Sequence, residues 1–130
     1  MVKYLLDTHT AVWLFSDSKK LSSKVRGIFT DRETALAISI ASAWEIAIKI
    51  SKGGSIPGVN GVALFMDKLH ENGIEVLNIT FEEIKIIESL PLIHRDPFDR
   101  AIIATAMSQE LTIISVDKNI RKYEVSCIWY

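Results

Sequence analysis

Short apolar stretches alternate along this chain with longer segments in which apolar residues recur at helical spacing. Such alternation predicts βαβ units, and therefore an α/β fold with a mostly parallel central sheet. Thr80 and Glu83 have the spacing of a capping box, which predicts a helix start. The predicted strands cover residues 3–6, 35–40, 74–79, 112–116 and 126–129, and the predicted helices cover residues 10–15, 22–30, 42–52, 62–71, 80–89 and 96–110.

Length and composition narrow the class of protein. A chain of 130 residues predicts a single domain over residues 1–130. The one cysteine, Cys127, cannot pair within the chain, which favours a reducing, cytoplasmic compartment. Asp7 soon interrupts the apolar start, so we expect no signal peptide, and no apolar run approaches the ~20 residues of a membrane span.

Four acidic residues follow the predicted strands or open the helices after them: Asp7, Glu45, Asp99 and Asp117. Residues just past the ends of parallel strands gather along one edge of a sheet, where open α/β folds bind ligands. Carboxylates brought together there repel one another, and a divalent cation would relieve the repulsion. The sequence therefore predicts an acidic metal site, although each acid also has a simpler interpretation.

The simpler interpretations are structural. Asp7 could cap the next helix, and Asp117 could close a turn by bonding its own backbone. Ser42 and Glu45 match a capping box, which favours a cap for Glu45, although a capping residue at that edge would still face the cleft.

Residues 95–100 read Arg-Asp-Pro-Phe-Asp-Arg, with two acids three positions apart on one helix face. Pro97 suits the first helical position, which makes Asp96 the expected cap and Asp99 the expected ligand, with swapped roles as the alternative.

Other polar residues are weaker candidates. His9 and His94 flank the predicted site without zinc-ligand spacing. Trp13 and Trp44 lie in predicted helices, where packing in the core is a simpler interpretation than stacking against nucleic-acid bases. The net charge of −1 leaves any nucleic-acid surface to local clusters of basic residues, for which the alternative is a solvated surface. These clustered basic residues are Arg95, Arg100, Lys118, Arg121 and Lys122.

Four motifs in this order resemble the PIN domain and, more closely, the VapC-type toxins. They are Leu5-Leu6-Asp7-Thr8-His9, Ser39-x-x-Ser42-x-Trp44-Glu45-Ile46-Ala47-Ile48-Lys49, Arg95-Asp96-Pro97-Phe98-Asp99-Arg100 and Ser115-x-Asp117. The resemblance implies a three-layer α/β/α sandwich and a ribonuclease that uses Mg²⁺ or Mn²⁺. It also implies RNA as substrate, a VapB-type antitoxin as partner and a homodimer.

By position, Asp7, Glu45, Asp99 and Asp117 match the family's catalytic acids. We expect Asp7 and Asp99 to hold the principal ion, with Asp96 and Ser115 in secondary roles. Arg95, Arg100 and Lys118 are the predicted phosphate-binding residues.

Two alternatives belong to other classes of protein. A receiver-like signalling domain also carries an acidic Mg²⁺ pocket at the sheet edge, but it needs adjacent acids after its first strand, and here Thr8 follows Asp7. A non-catalytic PIN-like binding module would keep the acidic edge without a stabilising ion, which would cost stability at neutral pH.

Overall fold

A parallel sheet forms the centre of the computed structural model, which describes residues 2–129. Within these residues its strands are β1 (Val2–Leu6), β2 (Thr34–Ser39), β3 (Glu75–Leu77), β4 (Thr112–Ile114) and β5 (Cys127–Ile128). Their order is β3-β2-β1-β4-β5, and every neighbouring pair is parallel, which confirms the predicted α/β class. The helices are α1 (Thr8–Phe15), α2 (Ser23–Thr30), α3 (Ile40–Ser51), α4 (Val62–Glu71), α5 (Phe81–Ser89) and α6 (Pro97–Gln109).

Helices cover both faces of the sheet. Neighbouring residues of a strand point to opposite sides, so each strand contributes apolar side chains to both faces. One face packs against α1, α2, α3 and α4, and the other packs mainly against α6. This arrangement confirms the three-layer sandwich. The first face carries Leu6, Ile38 and Ile114, and the second carries Leu5, Ala37 and Ile113, all fully buried.

Polar side chains define where several helices begin. Ser22, Ser39 and Asp96 each accept a hydrogen bond from a backbone amide in the following turn. The predicted capping box of Thr80 and Glu83 is present at the start of α5. Helices α1 and α3 each begin two residues earlier than predicted, while β3, β4 and β5 are shorter than predicted.

The strand order creates a crevice at one edge of the sheet. The chain builds outwards from β1 through β2 to β3, and then crosses to β4 on the other side of β1. In doubly wound folds, ligands bind at such a reversal, outside the carboxyl ends of the two strands. Here those ends are followed by Asp7 and Ser115. Among residues 2–129, no helix is long and apolar enough to cross a membrane.

Candidate active site

Asp7 lies at the reversal point, where it joins β1 to α1. Its backbone N–H donates to the carbonyl oxygen of Ile114 at 3.2 Å, which continues the pairing of β1 with β4. The hydroxyl of Thr8 donates to Ser42 Oγ at 2.8 Å, so the starts of α1 and α3 are tied together. These contacts fix the backbone of Asp7, which is only 3% exposed.

The side chain of Asp7 contacts a residue from the other side of the crevice. Ser115 Oγ donates to Asp7 Oδ2 at 2.7 Å, while Asp7 Oδ1 is buried and has no hydrogen-bond partner among residues 2–129. Asp7 stands at the N-cap position of α1 but makes no capping hydrogen bond, so the capping interpretation is wrong. Burial raises the pKa of Asp7 above its usual value, although the hydrogen bond from Ser115 acts in the opposite direction.

Glu45 projects from α3 into the same region. The helix is capped by Ser39, whose Oγ accepts from the backbone N–H of Ala41 at 3.0 Å. The predicted capping box of Ser42 and Glu45 is therefore wrong, because Ser42 lies inside the helix. Glu45 is 7% exposed, and its Oε1 is buried without a hydrogen-bond partner in the part of the chain that the structure describes. Its Oε2 lies 3.5 Å from Lys49 Nζ.

The start of α6 adds two carboxylates with different surroundings. Asp96 Oδ1 accepts from the backbone N–H of Phe98 at 2.8 Å, which confirms Asp96 as the cap. Asp99 follows in the first turn and is only partly exposed. Its pKa is raised to about 8, first by burial and then by the negative charges of its acidic neighbours. These neighbours are, in decreasing order of effect, Asp7, Asp96, Glu45 and Asp117.

His94 joins two of these acids, which the sequence did not predict. Its Nε2 lies 2.8 Å from Asp117 Oδ2 and 3.1 Å from Asp99 Oδ2. The backbone N–H of Asp96 donates to His94 Nδ1 at 3.2 Å. Since Nδ1 accepts, a neutral His94 carries its proton on Nε2 and donates it to the carboxylates. One indication of this role was present in the sequence, because His94 stands directly before the Arg-Asp-Pro-Phe-Asp-Arg motif.

Asp117 combines a turn with a place in the cluster. The backbone N–H of Asn119 donates to its Oδ1 at 2.8 Å, so the predicted turn is present. Its backbone N–H donates to Ser115 Oγ, the same hydroxyl that donates to Asp7. Burial raises the pKa of Asp117, but the hydrogen bonds from His94 and Asn119 outweigh burial and lower it below its usual value.

The three predicted phosphate-binding residues separate into two kinds. Arg95 and Lys118 are exposed. Arg100 is buried, and its guanidinium donates to the carbonyl oxygens of Ile87, Leu90, Pro91 and His94. These bonds commit Arg100 to holding the segment before α6, so the geometry favours a structural role in place of the predicted phosphate contact.

The cluster fits a divalent cation. Asp7 Oδ1 and Glu45 Oε1 are buried acceptors to which none of the described residues donates, and such groups are costly unless an ion or water satisfies them. One ligand atom from each of His94, Asp99 and Asp117 also lies within 4.8 Å of the other two. In the tautomer described above His94 is a donor, so the carboxylates are the candidate ligands. Oxygen ligands of this kind suit Mg²⁺ and Mn²⁺.

Comparison with known proteins identifies the protein family to which this chain belongs. The PIN domain family matches residues 4–125, so this chain belongs to the PIN domain family, as its motifs predicted. No curated protein matches the chain.

Solved structures share the fold at low sequence identity. VapBC2 from Rickettsia felis, bound to a DNA fragment from its promoter, superimposes with a TM-score of 0.71 at 13% identity, with 98% of each chain covered. DNA-bound VapBC from Salmonella typhimurium superimposes with a TM-score of 0.67 at 16% identity, again with 98% of each chain covered. A toxin–antitoxin complex from Klebsiella pneumoniae superimposes with a TM-score of 0.65 at 17% identity, and the alignment covers 97% of this chain and 96% of the other.

Proposed function

We propose that this chain is a divalent-metal-dependent endoribonuclease and the toxin of a toxin–antitoxin pair. The observation that carries the proposal is the pair of buried, unpartnered carboxylate oxygens of Asp7 and Glu45 at the reversal point of a PIN domain. Its structural neighbours include VapBC complexes, which supports a VapB-type antitoxin as partner. We propose RNA as substrate, a homodimer as the assembly and the cytoplasm as the location.

Asp7 and Asp99 are the residues we propose as holders of Mg²⁺ or Mn²⁺, with Glu45 and Asp117 completing the cluster. When bound, the ion supplies Lewis-acid stabilisation of the charge that develops on the phosphate. Ser115 fixes the rotamer of Asp7 through its 2.7 Å hydrogen bond, and Asp96 caps the helix that carries Asp99.

Proton transfer falls to a carboxylate of the cluster. Glu45 is the candidate to take the proton of the water that attacks phosphorus, because Asp7 and Asp99 are the proposed holders of the ion and no residue among 2–129 donates to Glu45 Oε1. His94 donates to Asp117 Oδ2 and keeps that carboxylate ionised and oriented. The exposed Arg95 and Lys118 are the candidates to bind flanking phosphates.

Neither alternative class gains a supporting observation. A receiver-like domain needs adjacent acids after β1, and here the following residue is Thr8, whose hydroxyl is committed to Ser42. A non-catalytic module would leave two buried carboxylate oxygens unsatisfied without any compensating function.

Cleavage of RNA by the wild type and by Asp7→Asn tests the proposal. We expect the wild type to cut with Mg²⁺ or Mn²⁺ and to stop when a chelator is added. Loss of metal-based stabilisation of several kcal/mol predicts a rate at least about 100-fold lower for Asp7→Asn. Asp67→Asn, at an exposed position of α4, is the matched control and should cut normally. Full activity in excess chelator, or in Asp7→Asn, would contradict the proposal.

The toxin role needs a separate measurement. Expression of the wild type should arrest bacterial growth, and Asp7→Asn should not. A small protein encoded beside the gene should restore growth and should co-purify with the chain. Arrest that persists in Asp7→Asn would show that growth inhibition does not depend on the acidic site.

A further inference from the structure

Trp44 and Phe98 form an aromatic pair, and each is a sequence neighbour of a cluster acid. The indole of Trp44 meets the ring of Phe98 edge to face, with centroids 5.0 Å apart and planes at 89°. Trp44 is 59% exposed, so its prediction as a core residue is wrong. Each ring directly precedes a cluster carboxylate in the chain, Glu45 on α3 and Asp99 on α6. The pair therefore bridges the two helices that carry these acids.

Hydrogen bonds connect this pair to the acids. The backbone N–H of Phe98 donates to Asp96 Oδ1 at 2.8 Å, and the backbone N–H of Asp96 donates to His94 Nδ1 at 3.2 Å. His94 in turn contacts Asp99 and Asp117. The half-buried Phe98 is thus held relative to the carboxylates, and it supports the indole from one side. More than half of the surface of Trp44 remains accessible to a ligand.

An exposed, supported indole near a phosphodiester-cleaving site suits an unpaired base. Every base has a π face, and proteins that bind single-stranded nucleic acid stack bases on aromatic side chains. In an RNA helix the bases already stack on each other, so a stacking residue selects unpaired nucleotides. The exposed Arg95, in the segment before α6, adds a positive charge for the adjoining backbone.

We propose that Trp44, supported by Phe98, stacks against an unpaired base next to the scissile phosphate. This inference rests on the proposed ribonuclease function, and it adds a contact that the acidic cluster does not make.

Binding measurements in the Asp7→Asn background test the contact without cleavage. The probes are a short unstructured RNA and the same RNA annealed to its complement, with Mg²⁺ present. Trp44→Leu should weaken binding of the single strand about 5- to 150-fold, which corresponds to a stacking free energy of about 1–3 kcal/mol. Trp44→Tyr should retain most of the affinity, because it keeps an aromatic face. Binding of the duplex should not change.

Phe81→Leu is the matched control, since Phe81 is a 70% exposed aromatic on α5. It should bind RNA like the parent variant. Quenching of tryptophan fluorescence by RNA should fall sharply in Trp44→Tyr, which leaves Trp13 and Trp129 as the other indoles.

Three results would overturn the stacking contact. One is unchanged single-strand affinity in Trp44→Leu, and another is no measurable binding by the parent variant. The third is a lower oligomeric state of Trp44→Leu in sedimentation, which would assign the aromatic pair to an interface between copies of the chain. Cleavage of RNA by the wild type is measured separately. The stacking contact can therefore be disproved while the proposed ribonuclease function stands.

Discussion

Two sets of buried carboxylates in this molecule have opposite surroundings. Glu83 is fully buried at the start of α5, and both of its oxygens accept hydrogen bonds. Its Oε2 accepts from the backbone N–H and the hydroxyl of Thr80, and its Oε1 accepts from the hydroxyl of Thr105. Asp7 and Glu45 are nearly as buried, yet one oxygen of each accepts no hydrogen bond from residues 2–129.

This difference separates a structural acid from a functional one. Glu83 joins two helices, and each of its oxygens already accepts a hydrogen bond. An incompletely satisfied carboxylate destabilises the metal-free protein, and a cation can remove that penalty. The number of donors around a buried acid is thus more informative than its burial alone.

Replacement of Glu83 should produce the largest change in stability. Glu83→Ala removes the capping box and leaves the Thr105 hydroxyl without its acceptor, so we expect the free energy of unfolding to fall by about 3 kcal/mol. Asp7→Asn should leave that free energy unchanged or higher in metal-free protein, because it removes a poorly satisfied charge. Urea unfolding with a chelator present measures both. Equal losses of unfolding free energy in Glu83→Ala and Asp7→Asn would contradict the proposed difference between these two acids.

Metal ions should stabilise the wild type. Binding to the folded state alone raises stability by about 2.7 kcal/mol at an ion concentration 100 times the dissociation constant. The melting temperature should therefore rise with Mn²⁺ or Mg²⁺ in the wild type, and much less in Asp7→Asn and Asp99→Asn. Glu83→Gln is the control, and its response should match the wild type. A metal response that survives in both site variants would place the ion elsewhere.

Stability of the metal-free protein should fall as pH rises. The folded pKa of Asp99 is about 8, far above its unfolded value of about 3.9. Between these values the folded state keeps a proton that the unfolded state has lost, so the stabilisation is complete below the unfolded pKa and disappears as pH passes the folded pKa. Asp117, with its lowered pKa, loses stabilisation only at more acidic pH.

The wild type should therefore melt a few degrees higher at about pH 5 than at about pH 8.5 in the presence of a chelator. Asp99→Asn should reduce this slope, since an amide does not titrate. Scanning calorimetry over this range provides the measurement. An equal slope in the variant would assign the effect to other groups, such as Asp7.

Much of the fold followed from local patterns, because strand and helix periodicities and caps are encoded over a few residues. Thr80 with Glu83, and Asp96 with Pro97, gave correct helix starts. At α3 the spacing of Ser42 and Glu45 suggested a helix start, but Ser39 caps the helix, and Ser42 lies inside it and accepts a hydrogen bond from Thr8.

The site could be predicted only in part, because partners distant in sequence decide what each side chain does. The charge of Arg100 suggested phosphate, but the carbonyl groups of the folded segment before α6 surround it. His94 gave a weak signal, since its role depends on Asp117, which lies 23 residues later in the chain, after β4. The exposure of Trp44 likewise depends on how α3 meets α6.

The hydrogen bond between Ser115 and Asp7 spans 108 residues of sequence. Contacts between distant residues form late in folding, because the loop-closure entropy must be overcome before they add stability. During synthesis Asp7 leaves the ribosome well before β4 can pair with β1. The unfinished chain therefore contains separate acids but no assembled cluster. The order of contacts thus delays any activity of the site until β4 has been made.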